Sequence, residues 1–138
     1  NDGIVHGFRE KFEKILSYEI DFVFGNHDEA LALTETENID DAIEVLKEKD
    51  FTTIITDGPN GSLIITDGDV IKSNGLQVEA IDTNGAGDMF AGAFMHAMLS
   101  GKELHECGAF ANLAASKIVQ TFGPRLKKEE YQDLLKNL

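Results

Sequence analysis

Seven small and polar residues, Asp82-Thr83-Asn84-Gly85-Ala86-Gly87-Asp88, separate an apolar, strand-like segment ending at Ile81 from the apolar helical stretch Met89 to Leu99. A strand that passes through a glycine loop straight into a helix belongs to a layered α/β architecture. Gly85 and Gly87 allow backbone angles that turn successive N–H groups towards one concavity, and the helix adds the partial positive charge of its first turn. Such a loop binds an anion, phosphate above all. Asp88 demands a reason, because a carboxylate beside an anion nest is locally repulsive. Phosphoryl transfer to a hydroxyl supplies one: a base must accept the hydroxyl proton while amides stabilise the transferred group. Asp88 is then the candidate base, and the N–H groups of Gly85, Ala86, Gly87 and Asp88 the candidate anion hole. The plain alternative is that Asp88 caps the helix and the glycines make a turn. For a bare Gly-x-Gly-Asp the plain alternative is the better one.

The rest of the chain alternates in the same α/β manner. Phe8, Phe12, Ile15 and Leu16 share one face of an expected amphipathic helix, and Ile20 to Phe24 is an apolar strand broken by Gly25 and Asn26. Helices follow from about His27 to Leu33 and from Asn38 or Asp40, as cap, to about Lys49. Strands are expected at Phe51 to Thr56, Ser62 to Thr66, Val70 to Ser73 and Gln77 to Ile81, joined by Asp57-Gly58-Pro59-Asn60-Gly61, Asp67-Gly68 and Gly75. An Ala-rich helix runs from about Leu104 to Gln120 and stops before Gly123-Pro124. A last helix over Lys127 to Leu138 turns Tyr131, Leu134 and Leu135 inward. No repeat, low-complexity tract or linker interrupts the chain, which is treated as one α/β unit over residues 1–138.

With 138 residues, 42% of them hydrophobic, the chain can bury a real core. No apolar run approaches the ~20 residues that span a bilayer, and nothing resembles a signal peptide, so a soluble, cytoplasmic protein without a membrane partner is expected. Twelve basic against twenty-five acidic residues give a net charge of −13, which repels nucleic acid. The imbalance is uneven, with a net −9 in residues 1–50 and −4 in the remainder, so anion chemistry is better sought after residue 50. The single Cys107 suits a reducing compartment and a small core position. His6, His27, His96 and His105 show no metal-site spacing. There is no P-loop and no dinucleotide fingerprint.

The run from Asp82 to Phe94, Asp-Thr-Asn-Gly-Ala-Gly-Asp-Met-Phe-Ala-Gly-Ala-Phe, closely resembles the C-terminal signature of the ribokinase-like carbohydrate and nucleoside kinases, the PfkB family. Asn84 makes it look most like adenosine kinases. The resemblance covers essentially the whole chain and implies the C-terminal part of a ribokinase-like three-layer α/β sandwich, with a largely parallel sheet, helices and a β-hairpin. It also implies transfer of the γ-phosphate of ATP to a hydroxymethyl group of a sugar or nucleoside, with Asp88 as base and Gly85 to Asp88 as anion hole.

Four weaker matches follow the same order. Asn26-His27-Asp28-Glu29 resembles the family's Asn-x-x-Glu motif, which organises Mg²⁺. Asn26 offers a neutral oxygen and Glu29 a charged one, both suited to that hard ion through waters; a helix cap is the alternative. Thr56, Gly58 and Gly61 match a Thr-x-Gly-x-x-Gly turn along the nucleotide, though spacing alone fits an ordinary hairpin turn equally. Asn112 matches a position that contacts adenine, where an amide can both donate and accept; a solvent-facing helix residue is the alternative. Gln120 to Gly123 resembles the segment that closes the nucleotide pocket and, in many members, offers carbonyls to a monovalent cation such as K⁺ with the Asp82-Thr83 backbone.

In that family full-length members are about twice as long, and the N-terminal half brings first strands, acceptor contacts and a β lid. Asn1 in place of Met fits a piece of a longer protein. This chain alone is then expected to bind nucleotide weakly and not to turn over, with a homodimer left open for the full-length protein. A stand-alone nucleotide-binding or regulatory module, and a non-kinase α/β domain whose loop is only a turn, stay open beside the kinase.

Overall fold

The computed structural model describes residues 9–138, so Phe8 and His6 lie outside the described residues. The chain divides into two compact units, Asn1–Thr56 with Leu63–Val70 and Asp57–Ser62 with Ile71–Leu138. Four strands, β1 (Phe22–Asn26), β2 (Thr52–Thr56), β3 (Gly61–Thr66) and β4 (Asp69–Asn74), hydrogen-bond in the order β1-β2-β3-β4.

In the first unit, α1 (Arg9–Leu16) precedes β1, and α2 (His27–Thr34) and α3 (Ile39–Lys47) form the crossover that parallel strands require. β1 and β2 pair in parallel from Phe22↔Thr52 to Asn26↔Thr56. Gly25 and Asn26, expected to break the strand, continue it, because the ladder places them opposite Ile55 and Thr56. Asn38 caps α3 by accepting from the Asp41 N–H at 2.9 Å. Ala30, Leu46, Ile55 and Ile65 form a buried core cluster, with Leu33, Ile39, Ile43 and Leu63 packed against it. Ile15 does not join a core: it is 54% exposed while Leu16 is half-buried. Neighbouring helical residues point about 100° apart, so Leu16 can be half-buried while Ile15 faces outward; the Phe12 side chain lies outside the described residues.

β2 and β3 are antiparallel: the Asp57 N–H donates to Gly61 O at 2.8 Å, and at the other end the Thr52 and Thr66 hydroxyls lie 2.9 Å apart. β4 folds back through Asp67-Gly68, whose φ values of 50° and 80° are those of a tight hairpin turn matched to strand twist. The sheet is therefore mixed, and the architecture is the expected α/β one.

In the second unit, α4 (Ala86–Leu99) packs along α5 (Leu104–Ile118), and α6 (Lys128–Leu135) ends the chain. The helix pair buries the small residues Ala93, Ala97, Ala111 and Ala114, Cys107, and the rings of Phe90 and Phe94, whose centroids are 6.3 Å apart. Burial and the neighbouring Glu106 charge push the Cys107 thiol pKa up, as suits a core residue. On α6 only Leu134 is buried, since Tyr131 and Leu135 are 37% and 47% exposed. The expected strand Gln77 to Ile81 is absent. The Ile81 and Asp82 N–H groups both donate to Val119 O at the end of α5, and Gln77 uses its side-chain amide on Pro59 O. Among the described residues no helix is long and apolar enough to cross a membrane.

Candidate functional site

Gly85 opens α4 with φ 78° and ψ 2°, a left-handed geometry that favours glycine and turns the chain into the helix. The Ala86 N–H closes the turn on Thr83 O at 3.2 Å, so one of the four expected donors is engaged within the loop. The N–H groups of Gly85, Gly87 and Asp88 have no acceptor among the described residues. The Asp88 carboxylate stands exposed in the first turn with no hydrogen-bond or ion-pair partner among the described residues. Neither end of Asp88 is consumed by capping.

Asp82 does more than its backbone was expected to do. One carboxylate oxygen accepts from the Asn84 N–H at 2.9 Å and the other from the Gly123 N–H at 3.1 Å. The side chain thereby ties the glycine loop to the 120–123 segment. Pro124 lies close to Gly85, where even a methyl group would come within 3.0 Å of it. Gly123 takes φ 94°, and Phe122 beside it is 90% exposed. No spacing rule pointed to this tie, which joins residues 41 apart in sequence.

The turn Gly58–Asn60 is a short 3₁₀ helix, closed by the Asn60 N–H on Asp57 O at 2.9 Å and by the Gly61 N–H on Gly58 O. Gly58 is exposed at φ 48°, whereas Gly61 is buried. Behind the turn, Asn112 of α5 is 6% exposed, not solvent-facing, and turns its amide nitrogen to Ser62, Ser73 and Asn74.

In the other unit, Asn26 caps α2 in a reciprocal box: its Oδ1 accepts from the Glu29 N–H at 2.9 Å, and its own N–H donates to Glu29 Oε2 at 2.8 Å. Thr56 Oγ1 donates to Gly25 O at 3.3 Å. His27 lies 3.8 Å from Asp28, while His96 and His105 are exposed. Among the described residues no three His, Cys, Asp or Glu side chains converge as a metal site.

The fold is that of the ribokinase-like proteins. It matches the adenosine kinase of Sinorhizobium meliloti with a TM-score of 0.92 and 32% identity, over 100% of this chain and 43% of that one. It also matches the Arabidopsis thaliana ribokinase complexed with ribose and ATP, with a TM-score of 0.75 and 30% identity over 89% of this chain and 43% of that one. The model of the pfkB family carbohydrate kinases matches residues 3–130, and the chain belongs to that family. A nucleoside kinase of Methanothermobacter thermautotrophicus is 40% identical over 104 residues, which are 75% of this chain and 33% of that protein. The chain thus spans less than half the length of these relatives.

Proposed function

We propose that the protein transfers the γ-phosphate of ATP to a hydroxymethyl group of a nucleoside or sugar. The observation that carries this is the unpartnered Asp88 carboxylate in the same helical turn as the unengaged Gly87 and Asp88 amides. Asp88 accepts the proton of the acceptor hydroxyl as its oxygen bonds to the γ-phosphorus, and the bond to the bridging oxygen of ADP breaks. The loop N–H groups and the α4 terminus hold the charge of the transferred group. Thr56, Gly58 and Gly61 line the nucleotide, and Gly123 closes over it. The adenosine and nucleoside kinases among the relatives favour a nucleoside acceptor.

Asn26 and Glu29 fit a hydrated Mg²⁺, because a carbonyl oxygen inside a capping box keeps a second lone pair for a metal-bound water. When bound, that ion offsets phosphate charge. Backbone carbonyls of Asp82 and Thr83, beside the 120–123 segment tied by Asp82, suit a monovalent cation.

The test is ATP consumption by the full-length protein against a panel of nucleosides, ribose and fructose. Asp88→Asn should lose about 10²–10⁴-fold in kcat. Full activity in the variant would remove Asp88 as base, and ATP binding without acceptor-dependent ADP release would favour a non-catalytic nucleotide module. The 138-residue chain alone is expected to bind nucleotide weakly and not to turn over.

A further inference from the structure

The Asn112 amide nitrogen has four protein acceptors: Ser73 Oγ at 3.0 Å, and Ser62 Oγ, Ser73 O and Asn74 O at 3.3 Å each. Two of these are carbonyl oxygens, which only accept, so the nitrogen end of the amide must face them. Ser62 and Ser73 are 3% and 5% exposed, so the cluster is shielded from bulk solvent. The backbone it holds is also the backbone the turn rests on. A Cβ on Gly61 would overlap Ser73 O, a Cβ on Gly75 would overlap Pro59 O, and the Gly75 N–H donates to Asn60 O at 3.3 Å. Any shift of residues 73–75 is therefore passed to the Gly58–Asn60 turn.

We propose that Asn112 is a positioning residue: through Ser62, Ser73 and Asn74 it holds the 57–61 turn in the shape that receives the nucleotide. This rests on the turn lying against nucleotide, as proposed above. A residue touching adenine would discriminate between bases; one working behind the turn affects every nucleotide alike.

The experiment compares wild type, Asn112→Ala and Ser73→Ala in the full-length protein, the latter a milder change that removes one acceptor. It measures KM for ATP and for GTP, kcat, and amide hydrogen exchange at Gly61 and Gly75. Asn112→Ala is expected to raise both KM values by the same factor, about tenfold, with kcat little changed. Exchange at Gly61 and Gly75 should quicken while the first turn of α4 is unaffected. Ser73→Ala should act in the same direction and less, and decides the matter if Asn112→Ala does not fold. A changed ATP-to-GTP preference, or unchanged exchange at both glycines, overturns the proposal. Wild-type protein that binds no nucleotide would instead overturn the kinase reading on which it rests.

Discussion

Gly75 and Gly61 stand where β4 leaves the hairpin and β3 enters it, and neither has room for a methyl group. At Gly75 the added carbon would meet backbone, which cannot swing aside as a side chain can. Gly75→Ala should therefore cost at least about 2 kcal/mol, read as a lowered denaturant midpoint with an unchanged m-value. A cost below about 0.5 kcal/mol would mean that the crossing is looser than described. Gly58, whose Cβ position is open space, should suffer only the left-handed strain of φ 48°. At this scale the sequence was legible where the chemistry is local. Two glycines before a helix announce a positive φ at Gly85, and Asn26 three residues before Glu29 announces a capping box. It was silent where partners are distant. Asn112 meets side chains 39 to 50 residues away, and on a helix its letter alone suits water as well as a core.

The α4–α5 pair shows why an Ala-rich helix is needed rather than tolerated. Ala97 and Ala111 are fully buried, so a larger side chain there has nowhere to go. Ala97→Leu should destabilise the protein by about 1–3 kcal/mol. Leu99→Gln, two positions on and 80% exposed in the wild type, should fall within about 0.5 kcal/mol of it. Thermal melts of both variants would check this, and equal losses would contradict the packing. Gln77 to Ile81 marks the limit of pattern at the level of elements. Its alternation is that of a strand, yet a strand needs a neighbouring ladder, and here the backbone donors of Ile81 and Asp82 go to Val119 O, the first carbonyl after α5. Periodicity reports which residues tolerate burial, not which acceptor a backbone donor finds. The same gap explains α6, where one face was expected to bury three residues and buries Leu134 alone.

Across the chain, a net charge of −13 opposes the approach of a polyanion such as the nucleotide of the proposed reaction. Salt should weaken that opposition, so the association rate of ATP should rise as ionic strength increases from about 0.01 to 0.1 M, where the Debye length shrinks from about 30 to 10 Å. Stopped-flow binding would show it, and a falling rate would place a basic patch on the approach. The α/β fold and the family were legible because a thirteen-residue run and several weaker matches kept their order along the chain. The two-unit division was not, since two of its boundaries fall inside β3 and β4 rather than at a turn or linker. One further consequence follows from the Asp82 tie. Phe122 offers a nearly bare aromatic side chain to a protease that cuts after such residues, but cleavage requires an extended substrate. The segment is held on both sides, by the Thr121 bonds to Ile118 O and by the Gly123 N–H on Asp82. Cutting after Phe122 must first undo the bond that steadies the glycine loop. Limited proteolysis at that one site therefore gauges the loop itself: Asp82→Asn should be nicked faster than wild type, and a ligand seated in the loop should slow the cut without touching the phenylalanine.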